Sequence, residues 1–425
     1  MLIGLIRSHA AVAWILAIVP LVLAPAGASG EDWPQFRGPD GQGRAVRCDP
    51  PLHWGEGRNV AWKAPVPGRG WSSPVIGGGQ VWVTTAVESG HSLRAVCLDL
   101  ESGRLLHDVE VFHVAAPPAI NEKNSYASPT PVLEGDRLYV HFGTLGTACL
   151  DARRGEVLWR NQQIQVDHKE GPGSSPIVYG ELLIVPFDGM DVQLVAAFDK
   201  HSGCIAWRTP RSGAKNPNPD FRKAYSTPLV ISHHGRDELL CVGADRASAY
   251  DPATGEELWY VSFEGFSNVP RPVWEGDRAY VCTGYMKPQL LAIDLGSRGD
   301  VTNSHVAWKY GRNVPANPSP LVLEGLLYFV SDVGVATCLE AATGTPVWTR
   351  RWDGNFSASP VAAAGRIYWF NEEGEARVIA AGRTYHELAR NRLEGRMLAS
   401  PAVVGRALVV RTDRHVYRLE EVGEP

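Results

Sequence analysis

The sequence predicts an all-β fold, a single eight-bladed β-propeller built from four-stranded antiparallel blades. The first observation behind this prediction is a strand-rich motif that recurs eight times along the 425 residues. The second is a composition rich in turn formers and tryptophan, with 44 Gly, 31 Pro and 14 Trp. The third is that the N-terminal end of the repeat array carries one extra strand and the C-terminal end lacks one. Many short strands joined by tight turns, repeated with one period, indicate a single repeat architecture rather than several separate domains.

Each repeat opens with a proline, usually in a Ser-Pro or Ala-Pro pair, followed by apolar residues and a turn. An apolar–aromatic strand such as RLYV or RIYWF comes next. Neighbouring opening prolines are 40 to 57 residues apart, and they are Pro74, Pro131, Pro176, Pro228, Pro272, Pro320, Pro360 and Pro401. Repeats of about 40 residues with four strands each are typical of propeller blades. A solenoid of strands is the alternative, although its repeats are usually shorter.

The second half of the repeat carries an acid, a glycine four residues later and a tryptophan four residues after that. The pattern is clearest in Asp151-Gly155-Trp159, Asp199-Gly203-Trp207, Asp251-Gly255-Trp259 and Glu340-Gly344-Trp348. It predicts a hairpin in which the acid accepts backbone N–H groups and the glycine takes a positive φ. One tryptophan on the outer strand of each blade is expected to pack between blades and fasten the ring.

The termini predict that the ring is closed by pairing the two ends of the repeat array. The last repeat lacks a Trp-bearing fourth strand. Trp62 precedes Pro74 by 12 residues, the same interval that separates Trp308 from Pro320. Residues 59–67 are therefore expected to complete blade eight by pairing with the strand at 406–420, which removes the open sheet edges. Seven blades is the alternative if the repeat around Gly382, which lacks the acid and the tryptophan, is irregular.

The N-terminus predicts export. Residues 1–28 contain Arg7, an apolar run and a small-residue end, Ala26-Gly27-Ala28, as in a secretory signal peptide. We therefore expect a signal peptide at 1–28, an N-terminal lead-in segment at 29–58 and the propeller at 59–425. The mature chain would be periplasmic or extracellular and without a membrane span, whereas an uncleaved N-terminal membrane anchor is the alternative.

The charge argues against nucleic acid as a partner, and the cysteine pattern argues against a disulfide framework. The formal net charge of −5 gives no basic excess for nucleic acid. The seven cysteines do not form a disulfide framework, and Cys97, Cys149 and Cys338 repeat one position and are expected to be small buried hydrophobes. Cys241 and Cys282 could face each other on adjacent repeats, but we expect no bond. The chain is expected to be a monomer.

The pattern Ala249-Tyr250-Asp251 through Thr254-Gly255 to Trp259 resembles the repeat of the pyrroloquinoline quinone (PQQ)-like, or quinoprotein alcohol dehydrogenase-like, β-propeller superfamily. Trp33-Pro34-Gln35-Phe36-Arg37-Gly38-Pro39 resembles the lead-in of many secreted bacterial members. The resemblance implies either a quinoprotein dehydrogenase or a non-catalytic BamB-like propeller. A dehydrogenase of this kind would be expected to have adjacent cysteines and calcium ligands, and the chain has no Cys-Cys pair.

Motifs of catalysis do not occur in the sequence. It contains no G-x-S-x-G, no P-loop and no H-E-x-x-H. The clusters at 167–170 and 188–191 are better explained as a solvated loop and a turn than as metal ligands. We therefore expect no catalytic residue, no metal and no cofactor. The expected function is an exported binding or scaffold module of the cell envelope, with PQQ and calcium implied only under the alternative, a PQQ-dependent oxidoreductase of alcohols or sugars.

The candidate binding site is the mouth of the central channel. The inner strand of each propeller blade starts near the axis, so the residues just before each opening proline converge there. The candidates are Arg69, Trp71, Asn124, Tyr126, Glu170, Arg222, Lys223, Tyr225, Asn268, Arg271, Asn317, Asn355, Phe356 and Arg396. Their excess of cations predicts a small anionic ligand or an acidic envelope protein, their aromatic rings could stack on a planar group, and their asparagines are expected in part to cap strands.

Overall fold

The structure, a computed structural model, describes residues 32–213 and 216–421. The signal peptide expected at 1–28 lies outside these residues. Eight antiparallel sheets of four blade strands each follow one another along the described chain. This is the all-β, eight-bladed propeller that the sequence predicts, and the repeat around Gly382 is a regular blade rather than a gap. Within the described residues, no helix has the length and apolar character needed to cross a membrane.

The strands are given for each blade from the innermost to the outermost. Blade 1 comprises Val75–Gly77, Gln80–Val87, Ser92–Asp99 and Leu105–His113. Blade 2 comprises Val132–Glu134, Arg137–His141, Thr147–Asp151 and Glu156–Asn161. Blade 3 comprises Ile177–Tyr179, Leu182–Asp188, Gln193–Asp199 and Ile205–Pro210. Blade 4 comprises Leu229–His233, Arg236–Gly243, Arg246–Tyr250 and Glu257–Ser262.

The second half of the ring repeats the same order. Blade 5 comprises Val273–Glu275, Arg278–Cys282, Leu290–Asp294 and Val306–Tyr310. Blade 6 comprises Leu321–Leu323, Leu326–Val330, Val335–Glu340 and Pro346–Arg351. Blade 7 comprises Val361–Ala363, Arg366–Phe370, Glu375–Ala380 and Glu387–Arg392. Blade 8 comprises Ala402–Val404, Ala407–Arg411, His415–Leu419 and the N-terminal strand Val60–Pro65.

A few short elements lie outside this scheme. Arg44–Ala45 adds to the inner edge of blade 7, and Gly299–Asp300 adds to the outer edge of blade 4. The described 3-10 helices are Glu88–Gly90, Gly143–Leu145 and Pro219–Phe221.

The N-terminal strand closes the ring as the sequence predicts. Val60–Pro65 pairs antiparallel with His415–Leu419, and the register aligns Val60 with Leu419 and Pro65 with His415. Blade 8 therefore takes three strands from the C-terminal end of the chain and one from the N-terminal end. The closure pairs the outer edge of the third strand, which would otherwise expose unpaired backbone groups.

The repeated tryptophans pack between blades against the hairpin glycines. A Cβ at Gly103 would lie 2.6 Å from the ring of Trp62, and a Cβ at Gly203 would lie 2.5 Å from that of Trp159. The indole Nε1 of Trp62 donates to the Leu100 carbonyl at 2.8 Å. Only glycine leaves room for the indole and also adopts the positive φ of the hairpin, 69° at Gly103. The acid–glycine–tryptophan pattern is therefore a device that joins each blade to the next.

The hairpin acids behave as predicted. Asp151 Oδ1 accepts the N–H groups of Arg153 and Arg154, both at 2.9 Å. These bonds lower the pKa of the Asp151 carboxyl. Six of the seven cysteines are buried and Cys204 is exposed, and neither a disulfide framework nor a Cys241–Cys282 bond is present among the described residues.

Candidate functional site

A ring of hydroxyl groups surrounds the propeller axis. In seven blades the residue before the opening proline is Ser or Thr, and its Oγ accepts the backbone N–H of the corresponding residue in the preceding blade. We call this set the hydroxyl ring, and it consists of Ser73, Thr130, Ser175, Thr227, Ser319, Ser359 and Ser400. The nitrogen–oxygen distances lie between 2.8 Å, from Ser359 to Ser400, and 3.1 Å, from Ser400 to Ser73.

The hydroxyl ring is interrupted in blade 5, where Arg271 occupies the equivalent position. The Arg271 backbone N–H still donates to Ser319 Oγ at 3.0 Å, but the side chain offers no hydroxyl to Thr227. Its guanidinium instead donates to the carbonyls of Pro228 and Phe36, at 3.1 and 2.5 Å. The side chain is only 2% exposed. Arg271 therefore joins blades 4 and 5 through carbonyl groups and reaches the N-terminal lead-in.

The lead-in crosses the channel at the end opposite to the mouth. Trp33 forms a backbone bridge with Ile76 in blade 1, and Pro34 accepts the N–H of Leu133 in blade 2. Arg37, 1% exposed, donates to the Pro320 carbonyl of blade 6 at 2.6 Å. Because blades 1 and 6 lie on different sides of an eight-membered ring, the segment between these contacts must pass across the axis. We refer to residues 33–45 as the strap.

A cavity of about 490 Å³ lies inside the channel. Phe36 of the strap and all seven members of the hydroxyl ring line it. Aromatic groups of Trp71, Tyr225 and Tyr285 also line it, together with Lys123 and Glu170. A partly enclosed space of this size, with aromatic walls and many polar groups, is of the kind that holds small molecules.

The loop between blades 1 and 2, residues 114–131, extends over the mouth, and we call it the bridging loop. Lys123 Nζ forms an ion pair with Glu372 of blade 7 at 2.6 Å, and the Trp71 indole donates to the Lys123 carbonyl at 2.9 Å. Asn121 donates to Glu170 at 3.0 Å. Burial alone would raise the pKa of Glu372, but its bonds from Lys123 and Ser357 lower it below the usual value. Glu372 therefore stays ionised and holds the loop in place.

Five of the predicted site residues line this cavity: Trp71, Asn124, Glu170, Tyr225 and Asn317. Two more, Arg69 and Arg396, line a neighbouring, more open pocket of about 850 Å³ that also includes Trp71. The other seven contribute to neither, namely Tyr126, Arg222, Lys223, Asn268, Arg271, Asn355 and Phe356. The loops do converge at the mouth. Of these seven side chains, Lys223, Asn268, Arg271 and Phe356 are buried, whereas Asn355 is exposed and Tyr126 and Arg222 are half-buried.

Most of the predicted cations already have partners. Lys223, 3% exposed, lies 2.7 Å from Asp220 and 3.6 Å from Glu170. Arg222 donates to the Asn216 carbonyl at 2.6 Å. Arg396 is half exposed and 3.5 Å from Glu372. The mouth is therefore a network of paired charges.

The asparagines were expected in part to cap inner strands, but their side-chain amides donate to groups on other loops, strands and hairpins. Asn124 donates to the carbonyls of Glu170 and Pro172, and Asn268 lies within 3.5 Å of the Cys282 carbonyl. Asn317 donates to Asp332, and Asn355 donates to Glu373 at 3.1 Å. These bonds fix the loops that shape the mouth.

The hydroxyl ring and Phe36 were missed as site residues. The hydroxyl ring had a visible signal, because Ser or Thr stands before seven of the eight opening prolines. Phe36 had none, because nothing in an irregular segment shows that it ends under the channel. A group of potential metal ligands also went unnoticed. His233, His234 and Asp277 lie together on neighbouring hairpins, with His233 Nε2 2.9 Å from Asp277. These hairpins belong to the strap side of the ring, away from the mouth.

The aromatic candidates divide in the same way. Trp71 and Tyr225 face the cavity, and the Tyr225 hydroxyl donates to the His168 carbonyl at 2.7 Å. Phe356, 2% exposed, packs against Trp352 with 6.0 Å between ring centroids. The Tyr126 hydroxyl donates to the Pro118 carbonyl at 2.6 Å within the bridging loop. Stacking on a ligand is therefore open to Trp71 and Tyr225.

Known solved structures share the fold. BamB from Moraxella catarrhalis superposes with a TM-score of 0.55 at 15% identity, over 79% of this chain and 95% of that one. The quinohemoprotein alcohol dehydrogenase from Comamonas testosteroni gives a TM-score of 0.67 at 11% identity, over 93% of this chain and 81% of that one. At such low identities these similarities establish the propeller fold and nothing more.

Sequence comparison is more specific. The outer membrane protein assembly factor BamB of Shewanella oneidensis is 25% identical over 237 residues, which cover 53% of this chain and 55% of that protein. The match thus spans about half the length of that relative. The family described as outer membrane protein assembly factor BamB matches residues 55–170 and 300–421, more than half of the chain. The chain therefore belongs to the BamB family of PQQ-like β-propellers.

Proposed function

We propose that the chain is a non-catalytic binding and scaffold propeller of the cell envelope, which engages its partner or ligand at the channel mouth. The observation that carries the proposal is the asymmetry of the channel. The strap blocks one end, whereas the other opens on loops from all eight blades and on a lined cavity. Binding surfaces of propellers are built from such loops, since they vary without disturbing the strands.

Membership of the BamB family supports a role in the envelope, because the relative from Shewanella oneidensis is an outer membrane protein assembly factor. Export by the N-terminal segment is part of the same proposal. The expected product is a periplasmic or extracellular monomer, released by cleavage near Ser29. Mass spectrometry of the natural protein would give its N-terminus, and an intact Met1 in the membrane fraction would contradict cleavage.

The donor set around the cavity argues against PQQ held by calcium. Calcium takes about six to eight oxygen ligands, with carboxylates prominent among them. Of the side chains lining the cavity, Glu170 is the acidic one, and Asn121 and Lys223 already contact it at 3.0 and 3.6 Å. The residues present do not fit this cofactor pair. The alternative, a PQQ-dependent oxidoreductase of alcohols or sugars, is therefore disfavoured.

The proposal is tested by photo-crosslinking in living cells. A photoreactive residue at Arg396 samples the mouth, because that side chain is 52% exposed. The matched control is Arg406, 68% exposed in the first hairpin of the same blade, on the strap side. We expect a discrete envelope protein to be crosslinked from position 396 and not from 406. Equal crosslinking from both positions, or none from 396, would contradict a partner-binding mouth.

A second measurement addresses catalysis. The purified chain is incubated with PQQ and calcium, passed through a desalting column and assayed for quinone absorbance and for dye reduction with alcohols and sugars. We expect neither retention nor reduction. Retained quinone together with dye reduction would replace the scaffold proposal by the oxidoreductase.

A further inference from the structure

We propose that the hydroxyl ring binds a small organic anion, a carboxylate-bearing polyhydroxy compound of about monosaccharide size. This inference rests on the proposed function, since it assigns a ligand class to the cavity of a binding propeller. The observations behind it are a set of hydroxyl donors, a pair of buried guanidinium groups below them and a cavity of matching size.

The hydrogen bonding of the hydroxyl ring leaves its protons available. Each Oγ accepts one backbone N–H from the preceding blade, for example Ser319 from Arg271 and Ser400 from Ser359. A hydroxyl group can donate one hydrogen bond while it accepts others. Within residues 32–213 and 216–421, none of the seven hydroxyl groups donates its proton to an acceptor. Because all seven groups line the cavity, they offer donors to a ligand rich in oxygen acceptors.

Two buried cations lie beneath the ring. Arg271 occupies the blade 5 position of the ring itself and donates to the carbonyl of Phe36, which lines the cavity. Arg37 is the next residue of the strap and donates to the carbonyls of Pro320 and Gln42. Both guanidinium groups thus donate to neutral carbonyl groups of the backbone.

The charge of this pair is not balanced locally. Asp40 is the nearby acid, and Arg44 binds it at 2.9 Å. Burial lowers the pKa of Arg37 to about 9, with a further contribution from the positive charge of Arg271, and burial lowers the pKa of Arg271 to about 10. Both groups therefore remain charged at neutral pH. An anion on the hydroxyl ring would receive hydrogen bonds from the hydroxyls and a favourable field from the two guanidinium groups.

The size and closure of the cavity select a small molecule over a segment of protein. Its volume of about 490 Å³ lies at the lower end of the usual range for ligand pockets. Phe36 bounds it on one side, and the bridging loop crosses the mouth through the Lys123–Glu372 ion pair. The walls of Trp71 and Tyr225 suit the apolar face of a sugar ring.

The test compares two ligands that differ in one group. Isothermal titration calorimetry of the purified chain is carried out with glucuronate and with glucose, which share the ring hydroxyls and differ in the carboxylate. We expect glucuronate to bind about tenfold more tightly, because the carboxylate accepts charge-assisted hydrogen bonds from the ring hydroxyls, and such bonds are about twice as strong as neutral ones. Equal affinity for the two sugars, or no binding of glucuronate, would overturn the proposal.

A variant then tests how much the positive charge of Arg271 contributes to ligand affinity. Arg271→Ser removes the cation and supplies the eighth hydroxyl, which can accept the Thr227 N–H as in the other blades. Glucuronate affinity of the folded variant is expected to fall about tenfold. The thermal midpoint should also fall, because the substitution removes a buried side chain and leaves the Pro228 and Phe36 carbonyls without this donor. The control is Arg69→Ser, which removes an exposed cation that does not line the cavity but donates to the Glu122 carbonyl of the bridging loop and lies over Trp71. It therefore reports any loss of affinity that comes from disturbing the mouth rather than from the buried charge. Unchanged affinity in Arg271→Ser, or an equal loss in Arg69→Ser, would refute the assignment.

The outcomes separate this inference from the proposed function. The comparison of glucuronate with glucose uses the unaltered chain, so it remains decisive even if Arg271→Ser fails to fold. Binding of a tri-aspartate peptide without binding of glucuronate would overturn the small-molecule assignment in favour of an acidic loop. Failure of the anion together with specific crosslinking from position 396 would refute the ligand class alone and leave the scaffold intact.

Discussion

The closure of the ring makes a quantitative prediction for Trp62→Ala. Trp62 lies on the N-terminal strand of blade 8, is 9% exposed, covers Gly103 of blade 1 and donates to the Leu100 carbonyl at 2.8 Å. Replacing a buried tryptophan by alanine costs about 4 kcal/mol, including the lost hydrogen bond. With about 390 described residues and an unfolding entropy of about 2.1 cal/mol/K per residue, the thermal midpoint should fall by about 5 °C.

The matched control is Trp308→Ala. Trp308 covers Gly344 and donates to the Ala341 carbonyl at 3.1 Å, but its strand follows the third strand of its own blade along the chain, through residues 295–305. The strand of Trp62 has no such connection to its partner His415–Leu419. Because Trp308 is half-buried and Trp62 is buried, we expect a smaller loss of thermal stability in Trp308→Ala and a different site of local opening. Hydrogen exchange of the His415–Leu419 amides should accelerate in Trp62→Ala and stay near the parent rate in Trp308→Ala.

The result that would refute this reasoning is equal exchange of the His415–Leu419 amides in the two variants. The ring would then open at a different junction, or as a whole. Deleting residues 59–67 extends the same test, since it exposes the edge of His415–Leu419 outright. An unchanged thermal midpoint in that deletion variant would contradict the closure as a source of stability.

Three further predictions concern stability and reactivity. Burial lowers the pKa of His141 to about 3, with a contribution from His168, and lowers that of His168 to about 4. Below about pH 6.5 the unfolded chain therefore binds more protons than the folded one. The free energy of unfolding, fully present above that pH, should fall by about 2 kcal/mol per histidine at pH 5. Denaturant melts at pH 7 and pH 5 measure this fall, and the same fall in His168→Leu would mean that His168 does not contribute to it. Gly203→Ala puts a Cβ 2.5 Å from Trp159 at φ +73°, whereas Gly276→Ala has φ +59° and open space around it, so Gly203→Ala should lower the free energy of unfolding more. The urea midpoints of the two variants measure the difference. Equal losses would mean that the turn conformation alone costs about 1–2 kcal/mol. A thiol reagent should modify Cys204 quickly and the six buried cysteines only on unfolding, and more than one fast thiol in the native chain would contradict the packing.

The fold could be predicted because its information is periodic. The spacing of the opening prolines gives the number of blades, and the 12-residue interval from Trp62 to Pro74 is enough to identify the displaced strand. These spacings repeat because each blade packs against its neighbours in the same way. The hairpin glycines followed from the same logic, since the acid, the turn and the tryptophan keep a fixed spacing.

The site was less accessible because its geometry is not periodic. Arg271 precedes an opening proline and was expected at the mouth, but its long side chain reaches the Phe36 carbonyl on the strap side. The path of the strap depends on contacts such as Arg37 with Pro320, separated by 283 residues. Sequence spacing specifies where a backbone position lies in a blade, whereas the direction of a long side chain depends on which carbonyl groups are free nearby.

The closing strand also has a consequence for the order of events during synthesis. Val60 emerges from the ribosome early, but its partner Leu419 is added 359 residues later. Until then the third-strand edge of the last blade is incomplete. Pro320, the partner of Arg37 in the strap, and Gly405, the partner of Asp49, are also made late. The strand Val60–Pro65 must wait without its strand partner while seven blades are made. The finished ring is thus a post-translational product, and its slowest step is expected to be the search of this early segment for a late partner.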